Sequence, residues 1–318
     1  MKAEYIKNKI SKPLTLAFSP GHITGFFQIC DQQDNVLKKG SRGAGVSITK
    51  GVKTELSIEP SQEKGTHTIF INNETHTDAL VSEKVIDFFF SRTGIKNNFQ
   101  ITVKHYLDIP IGAGLGTSGA GALSLAYALN SAFHQPLTDD EAGQLAHIAE
   151  IVCSTGLGTV IAESKGGMEV RTTPGAPGIG QIETISINPR ARVLCLIFGP
   201  LLTKKVLRNK ETRENINKMG DKLVDKFIKA PSLTNFMQYS RRFAEETGLV
   251  SRRTKEVFKM LDKLNILCSM PIFGEGVFII IDKEKYPAII DLFSKYKDNS
   301  QLVLSNIDFQ GGRLLNEA

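Results

Sequence analysis

The stretch with the most chemical content runs Ile109-Pro110-Ile111-Gly112-Ala113-Gly114-Leu115-Gly116-Thr117-Ser118-Gly119-Ala120. It is glycine-rich and feeds a helix that continues through Leu123, Leu125, Ala126 and Leu129. A loop of small residues ending at a helix N-terminus is an anion site. Backbone N–H groups can converge where no side chain intrudes, and the helix dipole favours negative charge there. A Walker loop is excluded, because it needs a lysine before the closing Ser or Thr and none precedes Ser118. A dinucleotide fingerprint does occur at Gly114, Gly116 and Gly119, but it calls for a second strand ending in an acidic residue about 20 residues on. Pro136 and a new helix start stand there instead. A phosphate cradle remains, beside the plainer reading of a glycine loop that only serves helix packing.

Other residues can join such a site, and each also has a plain structural explanation. His147 and Glu150 lie three apart on one predicted helix and share a face, as many surface pairs do. Ser118, at a helix start, also fits an N-cap. Arg171 follows a hairpin signal at Lys165-Gly166-Gly167 and by default is a solvated strand-end charge. Ser41 and Arg42 lie in the glycine cluster Gly40–Gly45, where small polar residues serve turns. His22 equally fits a structural histidine. His67, His76, His105 and His134 show no ligand spacing.

The elements that must hold these residues read as a mixture of strands and helices. Leu14–Phe18 is a short predicted strand entering a turn at Ser19-Pro20-Gly21, and Val46–Ile58 and Phe99–Leu107 carry strand character. Helical spacing covers Thr77–Ser91. Thr138-Asp139-Asp140-Glu141 is a capping box opening a helix to about Cys153. Val160–Thr172 reads as a hairpin. Beyond about residue 190 come a buried strand at Arg192–Phe198, helices near 210–229, 232–247 and 251–265, a strand at Gly276–Ile281 and a helix near 284–296. With 318 residues, two lobes follow, the second of α+β type.

Composition narrows the function. Lys and Arg exceed Asp and Glu by 39 to 33, a mild excess that suits a phosphorylated or carboxylated ligand. The basic residues form scattered pairs, Lys204-Lys205 among them, and not a nucleic-acid stripe. Cys30, Cys153, Cys195 and Cys268 form no C-x-x-C pair, so a reducing cytoplasm is expected and a zinc site is not. Neither a signal peptide nor an apolar run of membrane-spanning length is evident, so no membrane role is expected.

The segment Pro110–Ala120 resembles the P-x-G-x-G-L-G-S-S-A-A signature of the GHMP kinase superfamily, with Thr117 for the first serine and Gly119 for the first alanine. Ser19-Pro20-Gly21-His22-Ile23 is similar to its first motif, and Ser269–Gly276 stands where a degenerate third motif belongs. Within the superfamily, Pro20–Phe27, Gly40–Gly45, Gly112–Ala122, Ala146–Glu150, Thr155–Gly158, Gly166–Arg171 and Pro174–Gly178 look like the archaeal pantoate kinase family. The resemblance implies an α+β, two-lobed fold, with a first lobe like ribosomal protein S5 domain 2 over residues 1–190 and a ferredoxin-like second lobe over 191–318. It implies ATP and Mg²⁺ as cosubstrates and pantoate as acceptor on the route to coenzyme A, and it admits a homodimer. It assigns ATP to Pro110, Gly112, Gly114, Leu115, Gly116, Thr117, Ser118, Gly119 and Ala120. It assigns Mg²⁺ to Ser118 and Glu150, and the acceptor to His22, Ser41, Arg42, His147 and Arg171, with Arg171 gripping the carboxylate.

One departure stands out. Where the family carries an aspartate after the Gly-Leu-Gly turn, this chain has Thr159, which accepts no proton at neutral pH. Phosphoryl transfer tolerates that loss, because its loose transition state needs positioning and charge neutralisation most. Thr159 is therefore expected to position the acceptor. Two alternatives stay open: another GHMP kinase of mevalonate or phosphomevalonate type, and a weakly active ligand-binding relative.

Overall fold

The computed structural model describes residues 10, 12, 14–63, 65–201, 209–281 and 286–316. Lys204-Lys205, residues 1–9 and the first two positions of the helix expected from 284 lie outside these.

Two long strands organise the first lobe. β1 (Leu14–Cys30) and β2 (Gly40–Pro60) pair antiparallel over nearly their whole length. The turn expected at Ser19-Pro20-Gly21 is instead continuous strand whose register shifts between Pro20 and Gly21. Proline has no N–H to give the ladder, so the pairing steps past it. The Gly40–Gly45 cluster is also strand and not loop. Its glycines admit close neighbours: a Cβ on Gly45 would fall on the His22 ring, and one on Gly43 would lie 2.8 Å from Phe27 Cβ.

β2 splits its partners. Gly43–Val46 pairs with β6 (Met168–Thr173), and Val52–Pro60 pairs with β5 (Phe99–Leu107). β5 runs parallel to β3 (Thr66–Ile71), which β4 (Glu74–Thr75) edges, and β7 (Gln181–Ile185) pairs with β6. β11 (Arg313–Leu315) completes the sheet against β1, so the sheet takes an edge strand from beyond the expected lobe boundary.

Helices α1 (Leu80–Thr93), α2 (Thr117–Ala132) and α3 (Asp139–Cys153) pack on one another, and α2 lies on β1 and β2. The capping box forms as expected: Thr138 Oγ1 accepts from Glu141 N, and the Glu141 carboxylate accepts from Thr138 N. The first arm of the expected hairpin is a short helix, α4 (Thr159–Lys165). Val160 and Ile161 have strand character, but Gly158 and Gly166, both at positive φ, bracket the segment as helix.

In the second lobe β8 (Arg192–Pro200), β9 (Gly274–Ile281) and β10 (Gln301–Asn306) form an antiparallel sheet in the order β10-β8-β9. Among the described residues, four helices accompany it: α5 (Lys210–Lys229), α6 (Leu233–Glu246), α7 (Arg252–Asp262) and α8 (Tyr286–Ser294). α5 and α6 also lie on β1, where Phe26 meets Phe227 edge-on at 5.4 Å and Phe236 at 6.1 Å. The result is the expected α+β, two-lobed architecture.

Candidate active site

The loop before α2 is built for backbone contact. Gly112, Gly114 and Gly116 hold φ of 72°, 71° and 74°, where an L side chain is strained. Neighbours also exclude a Cβ: at Gly112 it would lie 2.7 Å from Pro200, at Gly114 2.5 Å from the Ile272 carbonyl, and at Gly116 2.5 Å from Glu163 Oε1. The degenerate third motif therefore lies directly against the loop. Thr117 Oγ1 donates to the Pro110 carbonyl at 3.1 Å, and His22 N donates to the Leu115 carbonyl at 2.9 Å, tying the first motif to the second. Gly116 caps α2 without a side-chain bond, which leaves first-turn N–H groups for an anion. Ser118 is thus not the N-cap. It lies inside the first turn, and its buried hydroxyl stands beside the Glu150 carboxylate.

Carboxylates gather under this helix start. Glu150, near the end of α3, is 2% exposed and accepts from Thr159 Oγ1 at 3.1 Å and Thr155 Oγ1 at 3.4 Å. Burial raises its pKa above the ordinary glutamate value, and the Ser118, Thr159 and Thr155 hydroxyls draw it partly back. Glu163, one turn after Thr159 on α4, is fully buried, with the Thr159 hydroxyl as its hydrogen-bonding neighbour and no ion pair among the described residues. Burial pushes its pKa well up, the Glu150 charge adds to that, and Arg171 opposes it. The sequence reading missed Glu163 because it assigned this segment to a strand. Read as a helix, its i, i+4 spacing from Thr159 would have revealed it.

A second charged group, on β6, buttresses His22. Glu169 Oε1 accepts from His22 Nε2 at 2.9 Å and from Arg171 NH1 at 2.6 Å. Thr24 Oγ1, 3.3 Å from Nδ1, completes the imidazole's partners. Burial lowers the His22 pKa despite Glu169. The ring is therefore neutral at pH 7, with its proton on Nε2 and Nδ1 accepting. Glu169, like Glu163, was not singled out from sequence.

Arg171 belongs to this network. Its side chain is fully buried, does not line the cavity described below, and spends one nitrogen on Glu169. A buried guanidinium must be paired, and Glu169 supplies the pair. Arg171→Ala should strand Glu169 as an uncompensated buried charge and lower unfolding stability by about 3 kcal/mol. Denaturant titration of the ligand-free protein checks this; an unchanged midpoint would show that the pair is not a structural one.

Two further expected acceptor contacts are also engaged elsewhere. Arg42 pairs with Asp225 at 2.5 Å and reaches the Thr172 carbonyl at 3.1 Å, linking β2 to α5. His147 Nε2 donates to the Val36 carbonyl at 3.3 Å, and burial depresses its pKa to about 4, which fixes the 36–38 turn on α3. Neither lines the cavity.

His22, Ser41, Glu150, Thr159 and the loop from Ile111 to Gly119 do surround a common cavity of about 530 Å³. The second lobe closes it with Leu201, Ile272 and Phe273. That volume suits a nucleotide-sized ligand. His105, held between Thr54 Oγ1 at 2.8 Å and Ser82 Oγ at 3.0 Å, forms part of the wall, and burial holds its pKa near about 4, so it too is neutral. The donor set fits Mg²⁺. Ser118 offers a buried hydroxyl next to the buried Glu150 carboxylate, and Mg²⁺ commonly takes one or two carboxylates together with substrate phosphates.

Comparison with known proteins agrees with this geometry. The family described as GHMP kinases N terminal domain matches residues 80–167, which include the loop, α2, α3 and α4. The pantoate kinase of Methanocaldococcus jannaschii is 37% identical over 267 residues, 84% of this chain and 93% of that protein. The pantoate kinase of Thermococcus kodakarensis is 36% identical over 276 residues, 86% of this chain and 89% of that protein. Among solved structures, one described as a phosphotransferase related to the CoA biosynthesis pathway superposes with a TM-score of 0.85 at 32% identity, covering 95% of this chain and 98% of that one.

Proposed function

Because this chain belongs to the GHMP kinases and, within them, to the pantoate kinase family, we propose that it transfers the γ-phosphate of ATP to the primary hydroxyl of pantoate. The product is 4-phosphopantoate, on the route to coenzyme A. The observation that carries this reading is the shared cavity: a glycine-rich helix start, a buried serine hydroxyl and a buried carboxylate face one space.

Each group has a task in this reading. The free N–H groups of the Gly112–Gly119 loop and first turn hold the triphosphate, with Ala120 packed beneath them. Ser118 and Glu150 hold Mg²⁺, which supplies charge neutralisation when bound. His22 and Ser41 face the acceptor, and Glu169 with Arg171 fixes the His22 ring. Residues 1–190, joined by the β11 edge strand, would form the nucleotide lobe, and the rest of 191–318 the lobe that closes the cleft. The four widely spaced cysteines, with no C-x-x-C pair, accord with a reducing cytoplasm, and no helix among the described residues is long and apolar enough to cross a membrane.

ATP turnover should be measured against pantoate, mevalonate and phosphomevalonate, with the products identified by mass. Pantoate-dependent ADP release with 4-phosphopantoate is the expected result. Turnover of a mevalonate derivative in its place would transfer the chain to that branch, and ATP binding without turnover would make it a binding relative.

A further inference from the structure

One carboxylate has no task in that scheme. Glu163 is fully buried with no ion pair among the described residues, the Thr159 hydroxyl being its hydrogen-bonding neighbour, whereas a purely structural buried carboxylate would be paired with a cation. It shares a face of α4 with Thr159, one turn away. The two side chains converge on Gly119. A Cβ there would lie 2.9 Å from Thr159 Oγ1 and 3.0 Å from Glu163 Oε1, with Oε2 nearer still. The alanine of the superfamily signature would therefore collide with Glu163, and this chain has glycine. Thr159 lines the cavity while Glu163 does not, so the order inward is hydroxyl and then carboxylate. Thr159 also occupies the position from which family relatives present an aspartate.

We propose that Thr159 and Glu163 together replace that aspartate, the Thr159 hydroxyl relaying the acceptor's proton to the Glu163 carboxylate. This rests on the reading of the chain as an ATP-dependent kinase. The acceptor oxygen bonds to the γ-phosphorus as the bond from that phosphorus to ADP breaks. The acceptor's proton passes to Thr159 Oγ1 while the threonine's own proton passes to Glu163. Threonine ends unchanged and Glu163 ends neutral, returning its proton to water after product leaves. At rest Thr159 donates to Glu150, so its O–H turns from one carboxylate to the other during the step. Burial raises the Glu163 pKa well above the ordinary glutamate range, which makes its carboxylate a strong proton acceptor once ionised.

The test uses the full chain and four variants: Glu163→Gln, Thr159→Val, the two combined, and Thr159→Asp with Glu163→Gln, which moves the carboxylate to the cavity wall. Acceptor-dependent kcat and ATP affinity are read for each. Each single change should lower kcat by about 100-fold with ATP affinity retained. Thr159→Val with Glu163→Gln should be no worse than the poorer single variant, because either break interrupts one relay. The carboxylate swap should recover at least about 10-fold over Glu163→Gln alone, a rescue that a packing role would not produce. The relay is overturned if Glu163→Gln stays within about threefold of the unaltered protein, if the two losses multiply, or if the swap recovers nothing. Absence of acceptor-dependent turnover in the unaltered protein would instead overturn the kinase reading and the relay with it.

Discussion

Aspartate in place of Gly116 should weaken ATP binding by at least about 1000-fold, because it adds a side chain and a negative charge where the phosphates must lie. The position is unforgiving on three counts. Its φ of 74° suits glycine, a Cβ would lie 2.5 Å from Glu163 Oε1, and the same Cβ would stand 3.0 Å from His22 N. The new carboxylate would also join Glu150 and Glu163 in a space that already opposes their ionisation. Gly116→Ala separates these effects. Alanine carries the backbone strain, about 1–2 kcal/mol of stability, and the steric contact, but no charge. Calorimetric titration with ATP should show the aspartate variant far weaker than the alanine one, with thermal melts confirming that both fold. Equal affinities in the two variants would mean that the loop does not hold the triphosphate.

The phosphate loop was legible in the sequence because its function resides in the backbone. Glycine spacing reports positive φ and close approach almost directly, and the helix after it announces itself by apolar content. Glu150 was legible through its spacing from His147 and through family likeness. What escaped was burial. Arg42 and His147 each looked free to meet a ligand, yet their partners Asp225 and Val36 lie on elements brought near only by folding, while Arg171 meets Glu169 two residues away on its own strand. The α4 helix escaped for a local reason, since Val160 and Ile161 fit strand as readily as helix. With it went Glu163, whose meaning depends on standing one turn from Thr159 and under Gly119.

The largest loss of turnover is expected from Glu150→Gln, which keeps the side chain's shape and removes its charge. If Glu150 holds Mg²⁺ with Ser118, kcat should fall by on the order of 1000-fold, since cation-assisted charge neutralisation supplies several kcal/mol to the transition state. ATP-dependent binding of Mn²⁺, read by its paramagnetic signal, should weaken in parallel. Stability should move the other way. The pKa of Glu150 is raised in the fold, chiefly by burial, so the folded chain holds that proton more tightly than the unfolded chain does. Its contribution to stability is therefore fully present below the ordinary glutamate range and is lost as pH rises through the raised pKa. Glutamine at 150 removes that loss. Without nucleotide or metal, the variant should melt with the unaltered protein at about pH 4 and above it at about pH 8. Added Mg²⁺ and ATP should then stabilise the unaltered protein more than the variant, reversing the order, because a ligand stabilises only the form that binds it. A variant that melts lower at every pH would mark Glu150 as a structural carboxylate held by Thr155 and Thr159. The combination of a more stable ligand-free fold and a lost turnover would identify a charge that the fold carries for its ligand.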